Sequence, residues 1–153
     1  MKKSFFFLVL STCLLLACST TQKLTPQEQA DKALITQTIN NYLEGWMTGD
    51  TTLIGGAMHA TCQLKNVKDD EVLVFSRSKY LSFFKPRPRR ENAGGSVLSI
   101  DITRDVAAAK CRIYTADRIY IDYFNMMRID GRWYIVDKAA TNRAKTEAEL
   151  GEK

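Results

Sequence analysis

The fold is decided by the stretch Asp130-Gly131-Arg132-Trp133-Tyr134-Ile135-Val136-Asp137-Lys138. Asp-Gly between two runs of alternating apolar and polar residues is the strongest short-range signal for a β-hairpin. The runs on either side, 118–129 and 132–139, alternate as strands do. A two-residue turn also sets the register of the hairpin. The expected pairs are Ile129 with Arg132, Met127 with Tyr134 and Asn125 with Val136.

This register predicts which side chains share a face of the sheet, because neighbours along a strand point to opposite faces. One face carries Asp122, Phe124, Met126, Arg128, Trp133, Ile135 and Asp137. Its apolar members predict that this is the buried, concave face, with Trp133 as a floor residue. Two carboxylates, Asp122 and Asp137, would then lie on the concave side, nearly opposite one another. A bulge in the strand 118–129 would instead turn Asp122 outward.

Two helices are expected before the first strand. Thr25 as N-cap, Pro26 at the first helical position and Glu28 three residues after the cap form a capping box. Apolar residues at helical spacing follow, and Gly49 ends this helix. Asp50 can cap a second, short helix.

The rest of the chain alternates mainly as strands. A strand from His59 and a second one at 72–75 are followed by a third helix, capped by Ser76 or Ser78. Strands at 97–103 and 106–115 precede the hairpin. This order predicts an α+β domain, in which a curved antiparallel sheet of about six strands packs against three helices from the N-terminal half. The domain is expected to span residues 26–141, with a polar tail at 142–153.

Four groups of residues carry a resemblance to a known superfamily. They are Tyr42-x-x-Gly45-Trp46-x-x-Gly49-Asp50, the single His59, Asp122-Tyr123-Phe124-Asn125-Met126 and the hairpin 130–138. Together they resemble the nuclear transport factor 2-like superfamily and, within it, the group called putative lumazine-binding proteins. The resemblance implies a cone-shaped sheet, helices lying across it and a pocket at the open end.

A concave pocket is the expected functional site. The candidate lining residues are Tyr42, Trp46, His59, Asp122, Phe124, Met126, Trp133, Ile135 and Asp137. An aromatic lining with few polar groups suits a small apolar or aromatic ligand, although aromatic residues at helical spacing also fit a plain core. No catalytic residue is assigned. His59, Asp122 and Asp137 are the candidates for a general base, and the resemblance implies for His59 either that role or a structural hydrogen bond.

Other kinds of site lack the residues they need. Of the four cysteines, Cys13 and Cys18 lie in the N-terminal segment. One histidine and the two well-separated cysteines that remain cannot form a tetrahedral metal site, and no cofactor motif is present. The formal net charge of +5, part of it from Lys2 and Lys3, is too small to indicate nucleic acid. The basic cluster at Lys85, Arg87, Arg89 and Arg90 is interpreted as a solvated connection or a contact to lipid headgroups. Cys62 and Cys111 are expected to be free, buried thiols.

The N-terminus indicates export and membrane attachment. Two lysines precede an apolar run from Phe5 to Leu16, which is typical of a signal peptide over residues 1–17. Leu15-Leu16-Ala17-Cys18 resembles the lipobox of bacterial lipoproteins, in which Cys18 would carry fatty acyl chains, and residues 18–25 would form the tether. An ordinary cleaved signal peptide is the alternative. By the same resemblance, Ser19 favours the periplasmic face of the outer membrane.

The first functional interpretation is therefore a lipid-anchored protein of the cell envelope with a non-catalytic pocket for a small molecule or a partner. The bilayer, through the acyl anchor, and a small apolar or aromatic ligand are the expected partners. An isomerase- or dehydratase-like enzyme is the second interpretation. A structural module whose sheet face forms a homodimer is the third.

Overall fold

The computed structural model describes residues 24–151, so the proposed signal peptide and Cys18 lie outside the described residues. In chain order the elements are α1 (Pro26–Thr48), α2 (Thr51–Ala57), β1 (Met58–Lys68), β2 (Glu71–Ser76), α3 (Arg77–Leu81), β3 (Gly94–Thr103), β4 (Val106–Tyr114), β5 (Arg118–Ile129), β6 (Arg132–Ala144) and α4 (Glu147–Gly151). The α+β prediction is confirmed. No helix among these residues is long and apolar enough to cross a membrane.

Helix boundaries follow the local signals in the sequence. Thr25 caps α1 through a capping box with Glu28, in which the Glu28 carboxylate accepts from the Thr25 amide at 2.7 Å. Gly49 ends the helix in the left-handed region at φ 70°, and a Cβ there would lie 2.0 Å from the carbonyl oxygen of Lys85. Asp50 caps α2, and Ser76 rather than Ser78 caps α3.

The six strands form one sheet in the order β2-β1-β6-β5-β4-β3. Four of the five neighbouring pairs are antiparallel, as expected, and the fifth, β1 with β6, is parallel. The parallel pair arises because the chain leaves β2 through α3 and a long connection, and the last strand returns beside β1. The order separates β1 from β4 by two strands. Cys62 and Cys111 are accordingly free and buried, as predicted.

The last strand is longer than predicted. β6 continues to Ala144, because the first residues of β5 need backbone partners and Arg118 pairs with Ala144. The expected polar tail thus begins inside the sheet and continues into α4.

Helix α1 closes the concave side of the sheet. Its buried stripe is Asp31, Ile35, Ile39, Tyr42 and Leu43, and it packs on Phe124, Met126, Trp133 and Ile135. The buried residues among those described lie between Asp31 and Lys138. The core that the described residues form therefore lies within residues 31–138.

Candidate functional site

The closing hairpin has the predicted turn but only half of the predicted register. Asp130 and Gly131 both take positive φ values, 49° and 75°, as a type I′ turn requires. Ile129 pairs with Arg132 and Met127 with Tyr134, as predicted. The ladder then shifts, so that Asn125 pairs with Asp137 instead of Val136. A bulge at Val136 is the cause, since one extra residue on β6 reverses the faces of every residue after it.

This bulge decides which charged groups meet on the concave face. Asp137 points to the outer face, where it pairs with Lys65 of β1. The prediction that Asp137 lies on the concave side is therefore wrong. Lys138 takes its place, opposite Phe124 and almost completely buried. Asp122 keeps its predicted inward position and is 2% exposed.

Asp122 and Lys138 form an ion pair inside the domain. Lys138 Nζ donates a hydrogen bond to Asp122 Oδ1 at 2.7 Å. The Lys138 side chain is 4% exposed and the Asp122 side chain is 3% exposed. Tyr42 Oη, from α1, lies 3.5 Å from the other carboxylate oxygen of Asp122. Tyr80 of α3 completes the group, because its hydroxyl shares a 2.6 Å hydrogen bond with that of Tyr42. We call these four residues the concave cluster.

The concave cluster is held in an environment that keeps both tyrosines protonated. Burial is the main cause that raises the pKa of Tyr42, and the neighbouring Tyr80 and Asp122 raise it further. Burial followed by the charge of Asp122 raises the pKa of Tyr80. The ammonium group of Lys138 also lies 5.7 Å from the centre of the Tyr80 ring, within the range of a cation–π contact. The cluster therefore offers hydroxyl and ammonium donors next to one carboxylate acceptor.

The two cysteines border the same region. Cys111 pairs with Asp122 across β4 and β5, and Cys62 of β1 is also buried. Burial raises the pKa of each thiol to about 12. Both side chains therefore act as uncharged, apolar groups at neutral pH.

The aromatic candidates divide into core and rim. Tyr42 packs edge to face on Phe124 with 5.1 Å between ring centres, and both are buried. Trp133 is buried at the far end of the concave face, as the alternation of side chains along the strand predicts. Its indole nitrogen donates a hydrogen bond to Asp31 there. Trp46 is half-buried and packs on Tyr120. Trp46 and Trp133 thus lie at opposite ends of the domain rather than facing one another.

His59 does not join the concave cluster. Met58 is buried, so His59 on the same strand faces outward, where its Nδ1 lies 2.8 Å from Thr61 Oγ1 and its ring contacts Tyr134. A dyad of His59 with either carboxylate is not present. Within residues 24–151 no group of three histidine, cysteine or acidic side chains could hold a metal ion.

The basic cluster lies against the C-terminal end of α1. The backbone amide of Arg87 donates to the carbonyl oxygen of Thr48 at 2.8 Å, and the Arg87 guanidinium donates to that of Trp46 at 2.7 Å. Arg89 pairs with Glu44, and Arg90 lies over the ring of Trp46. The two Arg87 contacts satisfy backbone carbonyl groups that the end of a helix leaves without a partner.

A second buried carboxylate lies at the other end of the domain, and sequence reasoning missed it. Asp31 accepts hydrogen bonds from Gln27, from the Trp133 indole at 3.0 Å and from Arg128 at 3.1 Å. These donors lower the pKa of the Asp31 carboxyl, with Gln27 and Trp133 as the largest causes. Asp31 falls on the apolar stripe of α1, four residues before Ile35, and that position was the available signal.

The comparisons with known proteins agree on the fold. The family model described as "Putative lumazine-binding" matches residues 30–139. A nuclear transport factor 2-like protein of unknown function from Shewanella baltica is 19% identical, with a TM-score of 0.70 over 80% of this chain and 100% of its own. One from Methylobacillus flagellatus is 21% identical, with a TM-score of 0.68 over 80% of this chain and 97% of its own.

A ketosteroid isomerase-like protein from Erwinia carotovora atroseptica is 10% identical, with a TM-score of 0.57 over 74% of this chain and 96% of its own. A search of curated proteins gives no match.

Proposed function

The chain belongs to the family described as putative lumazine-binding, with the nuclear transport factor 2-like fold, and from this premise we propose that it binds a small ligand on the concave face without converting it. The buried ion pair between Asp122 and Lys138 is the observation that carries the proposal. Removing two charges from water costs several kcal/mol per ion unless contacts offset it. A role in ligand binding would account for a buried ion pair on the concave face.

The concave cluster would recognise a flat ligand with several hydrogen-bonding groups. Tyr80 and Lys138 supply donors and Asp122 supplies an acceptor, while Phe124 provides an apolar wall. A lumazine, which is a planar heteroaromatic molecule with carbonyl and ring-nitrogen groups, fits this set of contacts. Pockets of this kind combine an apolar lining with a few convergent polar groups.

The ligand would enter on the side that α3 covers. Tyr80 is the member of the concave cluster that belongs neither to α1 nor to the strands β5 and β6. Its helix has five residues, and its hydroxyl is held by Tyr42. A modest displacement of α3 would expose the Asp122 carboxylate and the Lys138 ammonium group, and the Tyr80 hydroxyl would exchange its hydrogen bond with Tyr42 for one to the ligand.

Calorimetric titration of residues 19–153 with lumazine tests this proposal. Wild type should bind in a saturable manner, and Tyr80→Phe, which removes one hydroxyl group, should bind at least threefold more weakly. Tyr123→Phe is the matched control, because Tyr123 lies half-exposed on the outer face of the same strand as Asp122. Absence of binding by wild type, or equal affinity in all three proteins, would contradict the proposal.

An enzyme is the second candidate, favoured by the position of the Tyr42 hydroxyl 3.5 Å from the Asp122 carboxylate. A carboxylate beside a hydroxyl donor can move a proton on a bound ligand. The ion pair with Lys138 opposes this role, because it holds the carboxylate against a cation. Mass and isomer analysis of ligands incubated with wild type and with Asp122→Asn separates the two candidates: conversion that the variant abolishes would establish the enzyme.

Membrane attachment is a further part of the proposal. The signal architecture ending at Cys18 supports a lipoprotein of the cell envelope, on the periplasmic face of the outer membrane. Labelled palmitate should enter the wild-type protein in cells but not Cys18→Ser. Label that persists in the variant would refute the assignment of Cys18.

A homodimer is the remaining partner proposal. Val106, Tyr123 and Met127 are apolar and about half-exposed on the outer face of β4 and β5, and Val106 pairs with Met127. Light scattering should give a dimer for wild type and a monomer for Met127→Glu. A monomeric wild type at the same concentration would exclude the dimer.

A further inference from the structure

A cavity lies on the outer face of the sheet, where α4 covers the ends of the strands. Its volume is about 380 Å³, within the range of small-molecule sites. We call it the outer pocket. Its lining includes Leu98, Lys110, Arg112, Ile119, Ile121 and Arg143. Ile121 immediately precedes Asp122 on β5, so the outer pocket and the concave cluster lie on opposite faces of one sheet.

The floor of the outer pocket is apolar. Ile119 and Ile121 are half-buried on β5, and Leu98 of β3 is 46% exposed. Three aliphatic side chains around one cavity form an apolar surface, and covering it with an apolar group is favourable because the surface is removed from water. This part of the outer pocket would contact the apolar body of a ligand.

One wall is fixed by an ion pair. Arg143 donates two hydrogen bonds to Glu149 of α4, at 2.7 and 2.8 Å. The Glu149 carboxylate also accepts from the amide of Thr146, and these contacts lower the pKa of Glu149 to about 2. Glu149 is therefore charged at neutral pH, and its charge is neutralised by Arg143.

Two further cations border the cavity. Arg112 of β4 lies opposite Ile121 of β5 in the sheet. No carboxylate among residues 24–151 forms an ion pair with Arg112. Lys110 lies two residues away on the same strand, with its ammonium group 5.2 Å from the ring centre of Tyr123. The outer pocket thus combines an apolar floor with an excess of positive charge at its rim.

We propose that the outer pocket binds a small amphipathic carboxylate, with the carboxylate at Arg112 and the apolar body on Ile119 and Ile121. A guanidinium group can bind a carboxylate through two parallel hydrogen bonds, which gives both affinity and orientation. This site is independent of the ligand binding proposed for the concave face, since neither its residues nor its face of the sheet belongs to the concave cluster.

Titration of residues 19–153 with octanoate, 1-naphthoate and the uncharged octan-1-ol tests the proposal by calorimetry. At least one acid should bind in a saturable manner, and Arg112→Gln should weaken that binding at least tenfold. Octan-1-ol should bind at least tenfold more weakly than octanoate. The stronger of the two acids identifies an aliphatic or an aromatic body. Arg132→Gln is the control, because it removes the same charge from an exposed position next to the hairpin turn.

Equal binding of octanoate and octan-1-ol would overturn the proposal, because the cations would then contribute nothing. Equal weakening by Arg112→Gln and Arg132→Gln would do the same, since general charge would explain the result. A protein that binds neither acid, as a monomer or as a dimer, would overturn it as well. The Ile119 and Ile121 methyl resonances provide an independent readout, and acid binding that leaves both unmoved would place the ligand elsewhere.

Discussion

Breaking the ion pair of the concave cluster should destabilise the domain severely, whereas replacing both partners should not. Lys138→Met leaves the Asp122 carboxylate buried without its cation, and the two side chains are 4% and 3% exposed. Removal of one partner from a buried pair costs about 3–5 kcal/mol, whereas an apolar replacement of both is often neutral or stabilising. We expect a loss of about 3–5 kcal/mol for Lys138→Met, a similar loss for Asp122→Leu and about 0–1 kcal/mol for the double variant.

Urea denaturation of residues 19–153 measures these free energies of unfolding. Lys65→Met is the matched control, because Lys65 pairs with Asp137 on the outer face, with side chains 37% and 28% exposed. Exposed pairs contribute about 0–1 kcal/mol, so this variant should change little. The reasoning would be refuted if Lys138→Met and Lys65→Met cost the same. That result would mean that the bulge at Val136 is absent and that Lys138 faces solvent.

Three further predictions concern other parts of the chain. Donors lower the pKa of Asp31 in the folded state, so its stabilisation is present above the unfolded value of about 3.9 and is lost as the pH falls through the folded value. Asp31→Asn should lower the free energy of unfolding by about 1.5–3 kcal/mol at pH 7. It should also make this free energy fall less steeply as the pH is lowered, and an unchanged dependence in the acid range would contradict the prediction. Cys62 and Cys111 should resist a thiol reagent at pH 8 until urea unfolds the domain, because burial raises each thiol pKa to about 12; rapid native labelling would count against it. Trp133→Ala should cost about 3–5 kcal/mol, and a loss below about 1 kcal/mol would mean that Trp133 is not buried.

The fold could be predicted because its signals are local. The capping box at Thr25, the turn at Asp130-Gly131 and the alternation of β4 and β5 each specify a piece of structure with little help from the rest of the chain. The parallel pairing of β1 with β6 is a contact between strands that are far apart in sequence. Nothing in either strand alone indicates its neighbour.

The candidate site was predicted less well, because one bulge changed its chemistry. Strict alternation along β6 placed Asp137 inside, and the extra residue at Val136 placed Lys138 there instead. Four consecutive apolar residues, 133–136, interrupt the alternation at that point and were the available signal. Sequence reasoning missed Tyr80 as a member of the site, since no pattern shows that its hydroxyl reaches Tyr42 on another helix.

The most direct test of the account is a pair of ¹H–¹⁵N spectra of residues 19–153, recorded before and after saturation with lumazine. Ligand binding at the concave cluster should shift the amide resonances of Tyr80, Asp122 and Lys138. Those of His59 and Met127, which lie on the outer face, should stay in place. Shifts confined to the outer face, or no shift at saturating lumazine, would contradict the claim that the concave face is the binding site.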